Sequence, residues 1–91
     1  MELLDDSSIS AALAGLRWER HGDTIVSVVK RGDFAGALAF VNEVGALAEA
    51  RNHHPDIAIS WATVTLTLAT HSAGGLTEAD LELAAAIDAL G

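Results

Sequence analysis

At 91 residues, 51% hydrophobic and 20% charged, the chain has the length of one domain and enough apolar content for a core, which excludes a disordered polypeptide. Its net charge is −8, and the only cations are Arg17, Arg20, Lys30, Arg31 and Arg51, so nucleic acid and anionic membranes are excluded as expected partners. The absence of cysteine excludes disulfides and thiolate metal sites.

Asp6-Ser7-Ser8 is expected to cap a short helix that runs to about Leu13 and stops at Gly15. Arg17 to Arg20 reads as a short strand, His21-Gly22-Asp23 as a turn, and the β-branched run Thr24 to Lys30 as the second strand of a hairpin. His21, in that turn, is expected on the surface. Gly32-Asp33 supplies a turn and an N-cap for a helix from Phe34 to about Glu49. Its apolar residues Phe34, Leu38, Val41 and Val44, widened by Phe40 and Leu47, imply contact with more than one neighbour. Gly36 and Gly45 each cost a helix about 1 kcal/mol relative to alanine. They suit close approach of another backbone, either a second copy of the chain or the protein's own sheet.

Pro55 ends helical structure and pushes His54 toward an extended conformation. Ile57 and Ile59 alternate with Ala58 and Ser60. Thr63 to Thr70 then alternates, with Val64, Leu66 and Leu68 toward the core and Thr63, Thr65 and Thr67 away from it. Trp61, at the tip between these strands, would ordinarily anchor a small core. Ser72 to Gly75 is a loop, and Thr77 to Leu90 is the last helix, with Leu81, Ala84, Ala85 and Ile87 inward.

The order α-β-β-α-β-β-α with short turns predicts an α+β two-layer sandwich over residues 1–91, a single domain. It has a four-stranded antiparallel sheet with three helices on one face. With two Trp and two Phe the core is small, and such cores often gain burial by self-association, so a monomer is not expected. The stretch from Met1 to Asp6 is acidic and lacks the basic start and apolar run of a signal peptide, and no apolar run reaches membrane-spanning length. A cytoplasmic protein is expected.

Three of the four histidines lie in Asn52-His53-His54-Pro55-Asp56 and Ala69-Thr70-His71-Ser72. Imidazole gives and takes protons near neutral pH without help from its surroundings. If the third and fourth strands form a hairpin about Trp61-Ala62, Ser60 faces Thr63. The same register places His54 near Ala69, His53 near Thr70 and Asn52 near His71. Directly opposed residues have Cβ atoms about 4.5–5.5 Å apart, so the hairpin returns His71 to the His53-His54 corner. Glu49, four residues before His53, is placed to polarise that ring. Asp80 is placed to accept a proton from His71 and fix its tautomer, although Thr77-x-x-Asp80 also resembles a capping box. A zinc site of three histidines and a carboxylate is an alternative, but the histidines lack the His-x3-His helical spacing.

Glu49, His53-His54-Pro55, Trp61, His71 and Asp80 together resemble the pterin-4a-carbinolamine dehydratase family. That pattern is an acidic or polar residue, three spacers, His-His-Pro, an aromatic, a distant His and an Asp. Gly74 to Asp80 and Trp18 are similar to the family as well. The resemblance implies a 4a-hydroxytetrahydrobiopterin dehydratase that eliminates water from the carbinolamine to give quinonoid dihydropterin in tetrahydrobiopterin recycling. It implies His53 and His71 as the acid/base pair and His54 as the group that binds and orients the pterin. Glu49 and Asp80 stand behind them, with Pro55, Trp61 and the backbone of Ala69 and Thr70 at the substrate. No cofactor or metal is implied, and the expected assembly is a homodimer or homotetramer. Many members carry an aromatic two residues after the proline, where this chain has Ile57. The competing readings are a protein-interaction module, since some similar proteins serve as dimerisation cofactors for transcription factors, and a dehydratase-like scaffold with an altered substrate.

Overall fold

The computed structural model describes residues 2–91; Met1, which opens the acidic N-terminal stretch, lies outside the described residues. In chain order the elements are α1 (Asp6–Leu13), β1 (Glu19–His21), β2 (Thr24–Lys30), α2 (Phe34–Arg51), β3 (Asp56–Ser60), β4 (Thr63–Leu68) and α3 (Glu78–Asp88). A 3-10 turn at His71–Ala73 precedes α3. This is the expected α-β-β-α-β-β-α order. The strands form one antiparallel sheet in the order β1-β2-β4-β3, so the two hairpins meet through their second strands.

Alternation on β4 sets the two faces. Val64, Leu66 and Leu68 are buried and Thr63, Thr65 and Thr67 are half-buried on the other side. On β2, Ile25 pairs with Leu68 and Ser27 with Leu66, which places them on the same inner face. The buried Ser27 hydroxyl donates to the Arg17 carbonyl at 2.7 Å, so its burial leaves no unmet hydrogen bond. The helices cover this face. Ile9 of α1, Ala37, Phe40 and Val44 of α2, and Leu81, Leu83, Ala84 and Ile87 of α3 form one cluster with the strand residues. Each fully buried Leu or Ile contributes about 1.5–3 kcal/mol, and this cluster is the main source of stability.

Element ends follow local chemistry more closely than composition does. The N-cap of α1 is Asp5, one residue earlier than expected. Its carboxylate accepts the Ser8 N–H at 2.7 Å, and that backbone bond holds its pKa below the ordinary value. The first hairpin turns at Gly22-Asp23, because His21 pairs with Thr24 as the last residue of β1. Helix α2 is N-capped by Asp33 as expected but runs on to Arg51.

Three side-chain expectations change. The buried stripe of α2 is Ala37, Phe40, Val44 and Ala48, while Phe34 and Leu38 are exposed. Ala37 and Ala48 share the inward stripe with Phe40 and Val44, which leaves Phe34 and Leu38 on the outward side. On α3, Leu83 is buried where Ala85 was expected, and Ala85 faces out. Trp61 is no core anchor: it is 71% exposed and adopts φ 51° at the tip of the β3-β4 hairpin. A two-residue turn there requires positive φ, which carries the indole off both faces of the sheet.

The two α2 glycines separate. A Cβ on Gly36 would stand 2.6 Å from the Arg31 carbonyl oxygen, so this glycine serves the turn that enters the helix, not the sheet or a second copy. A Cβ on Gly45 would meet nothing within 4 Å. At the other end of the molecule, Asp88 accepts from the Arg17 N–H and the Trp18 Nε1–H at 2.7 and 3.0 Å, tying α3 to the segment that enters β1.

Candidate active site

The site begins where α2 ends. Asn52 takes a left-handed conformation, φ 49° and ψ 42°. Its N–H and that of His53 return to the carbonyls of Ala48 and Glu49, a Schellman-type end that satisfies the last turn of the helix. Asparagine visits this conformation more readily than most residues because its short polar side chain can hydrogen-bond locally. The chain therefore reverses direction at residue 52, and Pro55 keeps it extended into β3. His53 and His54 sit between the reversal and the strand.

Opposite them, β4 ends at Leu68. The next residues close a tight loop: Thr70 N–H donates to the Gly75 carbonyl at 2.8 Å, and the Thr70 carbonyl accepts from Ala73 and Gly74, each at 3.0 Å. His71 lies on the 3-10 turn inside that loop. The observed β3-β4 register, Ser60 with Thr63 through Asp56 with Thr67, is the one expected. Continued past the strand ends, it brings both segments to one cleft of about 280 Å³. Its lining is Asn52, His53, His54, Ala69, Thr70, His71 and Ser72. Two larger clefts, of about 460 and 420 Å³, flank Leu4 and the start of α3. Neither contains a histidine.

The three imidazoles have different surroundings. The His53 Nε2 lies 2.5 Å from Oδ1 of Asp80, whose side chain is fully buried. The His54 Nε2 lies 2.5 Å from Oε2 of Glu49, and this pair is largely solvent-exposed. The exposed His71 ring makes no hydrogen bond or ion pair to a described residue. Both carboxylates thus serve a different histidine from the one expected: Glu49 pairs with His54, not His53, and Asp80 with His53, not His71. The reversal at Asn52 explains the exchange. A helical spacing of four would stack Glu49 on His53, but the helix has ended, and the His53 ring turns inward to α3. His54 swings back over the last turn of α2.

Asp80 also has the second role expected of it. With Thr77 it forms the capping box of α3, and its Oδ2 accepts from the Thr77 N–H at 2.9 Å and the Thr70 hydroxyl at 2.7 Å. The Thr70 and Thr77 hydroxyls lie 2.8 Å apart. The sequence pointed to Thr77 as the cap of α3 but not to its contact with Thr70, and to Asn52 as a neighbour of His71 but not as the residue that reverses the chain. The signal for Asn52 was present: an asparagine at a helix end, just before His-His-Pro, marks a left-handed cap. Trp61 and Ile57 are not among the lining residues. Trp61 is at the opposite end of the hairpin, and Ile57 is on the edge strand, 39% exposed. Pro55 shapes the chain beside the cleft without lining it. Among the described residues no three His, Asp or Glu side chains are grouped to hold a metal ion.

A two-layer α+β fold with a cleft of three histidines at the end of a hairpin, two of them paired with carboxylates, defines a candidate acid/base site. The family model described as pterin 4 alpha carbinolamine dehydratase matches residues 2–90, and the chain belongs to that family. A provisionally named pterin-4-alpha-carbinolamine dehydratase of Nocardia farcinica is 52% identical over 90 residues, covering 98% of this chain and 95% of that protein. A relative with the same provisional name from Roseiflexus castenholzii is 51% identical over 87 residues, 94% of each chain. Among solved structures, a transcriptional coactivator/pterin dehydratase from Brucella melitensis superposes with a TM-score of 0.90 at 33% identity over 96% of each chain. A pterin dehydratase-like protein identified as a RuBisCO assembly factor in the α-carboxysome superposes with a TM-score of 0.67 at 29% identity, covering 82% of this chain and 87% of that one.

Proposed function

We propose that the chain is a 4a-hydroxytetrahydrobiopterin dehydratase, acting as one catalytic domain in the cytoplasm and serving tetrahydrobiopterin recycling. The observation that carries this reading is the convergence of His53, His54 and His71 on one cleft in a chain of this family. Dehydration breaks the C4a–O bond and removes a proton from the pterin ring. The hydroxyl leaves as water once an acid protonates it, and a base takes the ring proton, which gives the quinonoid dihydropterin. Histidines serve both steps near neutral pH. His53 and His71 are the acid/base pair. His54, on the exposed rim and held by Glu49, binds and orients the substrate. The Thr70 N–H is already committed to Gly75, which leaves Ala69 as the main backbone contact for the pterin edge.

The test is the dehydration of a 4a-hydroxytetrahydropterin generated in the cuvette and followed by ultraviolet absorbance. Acceleration over the uncatalysed rate is expected. A folded protein that gives none would move the reading to an altered substrate or a protein-binding role. The exposed Phe34 and Leu38 on α2, at 49% and 44%, are the observation that favours the latter.

The same reading includes a homo-oligomer, a dimer or tetramer. Strand β3 is an edge strand with all five residues exposed, and Ile57 and Ile59 are 39% and 38% exposed. It carries no lysine, arginine or proline to blunt that edge. A second copy pairing there in two-fold fashion would extend the sheet and cover both isoleucines. Light scattering after size exclusion is expected to give the mass of two or four chains, and Ile57→Lys to reduce it. A wild-type mass of one chain would remove the oligomer from the proposal.

A further inference from the structure

We infer that Thr70, through its side chain, is a positioning residue that fixes the tautomer of His53 and thereby makes Nδ1 its reacting nitrogen. This rests on the dehydratase reading for its catalytic consequence but not for its geometry.

In the capping box the Thr77 hydroxyl oxygen accepts from the Asp80 N–H. The Thr70 hydroxyl donates to Asp80 Oδ2 at 2.7 Å, because an ionised carboxylate accepts and does not donate. Its one proton is then used, so the contact between the two threonines, at 2.8 Å, runs from Thr77 to Thr70. The result is a closed circuit: Asp80 N–H to Thr77, Thr77 O–H to Thr70, Thr70 O–H to Asp80 Oδ2. The Thr77 N–H adds a further donor to the same oxygen at 2.9 Å. Thr70, Thr77 and Asp80 are all buried, at 6%, 1% and 0% exposure, so water does not compete for these bonds.

This circuit occupies Oδ2 and leaves Oδ1 directed at His53 Nε2, 2.5 Å away. With Oδ1 accepting, Nε2 carries the proton, and the neutral ring has its lone pair on Nδ1. Nδ1 makes no hydrogen bond to a described residue, and His53 lines the cleft. Thr70 thus links the end of β4 to the start of α3 and holds the carboxylate that sets the imidazole. Without the Thr70 hydroxyl, Oδ2 keeps only the Thr77 N–H, so Asp80 gains torsional freedom and His53 samples both tautomers.

The test uses the intact protein with nitrogen-15-labelled histidine, at a pH where the rings are neutral, and His53→Gln assigns the His53 signals. The wild type is expected to show the Nε2–H tautomer of His53 almost exclusively. Thr70→Val, which keeps the shape and loses the hydroxyl, is expected to bring the two nitrogen shifts toward each other. Thr70→Ser is expected to restore the wild-type pattern. In the dehydration assay, Thr70→Val is expected to lower kcat about ten-fold with little change in KM, the loss of one hydrogen bond to a charged group. A wild-type spectrum with Nδ1–H would overturn the inference whether or not the variants fold. A folded Thr70→Val with the wild-type shifts would overturn the role of the hydroxyl. The spectrum needs no substrate, so a protein with the expected tautomer and no dehydratase activity would sink the functional reading alone.

Discussion

Replacing His71 by alanine is expected to lower kcat for dehydration by about 10²–10⁴-fold, the range supplied by a positioned acid or base. The melting temperature is expected to stay within about 3 °C of wild type, since exposed substitutions away from caps and cores change stability by less than about 0.5 kcal/mol. The loop does not depend on this ring. Its closure runs through the backbone of Thr70, Ala73, Gly74 and Gly75, and Gly74 supplies the left-handed residue at φ 78°. The His71 ring has no partner among the described residues, so its loss leaves no buried group unsatisfied. Steady-state kinetics and thermal melts on the same preparation check both halves. A folded variant with near-wild-type kcat would remove His71 from the acid/base pair and put His54 in its place.

Much of this arrangement was legible because it depends on local pattern. The Thr63 to Leu68 alternation fixes which face of β4 is buried, and one slip of register would reverse it. The turn at Trp61-Ala62 therefore determines that residues 53 and 71 meet. What was not legible depends on how a helix stops. Placing Glu49 against His53 assumes that helical geometry continues to residue 53, and a single left-handed residue at Asn52 breaks that assumption. Once it does, the carboxylates pair with the neighbouring histidines. Trp61 failed for a related reason. An indole is expected inside a small core, but the turn it occupies imposes positive φ, and backbone geometry overrides the hydrophobic preference of one side chain. On α2 the buried stripe joins Phe40 and Val44 to the small residues Ala37 and Ala48, which a pattern of bulky residues does not mark.

Asp80 combines two jobs in one carboxylate, and two substitutions should separate them. Asp80→Ala is expected to lower the unfolding free energy by about 3 kcal/mol or more. It removes an N-terminal capping partner, worth about 1 kcal/mol, and leaves the buried Thr70 hydroxyl and Thr77 N–H without their acceptor. For a chain of this length that is a fall in melting temperature of about 12 °C or more. Asp80→Asn keeps the volume and one acceptor oxygen. If that oxygen caps α3, the amide NH₂ faces His53 Nε2, and a donor there stabilises the opposite tautomer, with the proton on Nδ1. The asparagine variant is therefore expected to retain most of its stability in urea titrations and yet lose activity by an amount comparable to His53→Ala. The pairing of a modest stability loss with a large kcat loss is the signature of a group that orients its neighbour. If Asp80→Asn were fully active, the His53–Asp80 contact at 2.5 Å would be a capping by-product, and His53 would need no fixed tautomer to act. If both variants lost stability equally, the charge itself would hold α3 in place, through the positive end of the helix dipole, beyond what the hydrogen bonds supply.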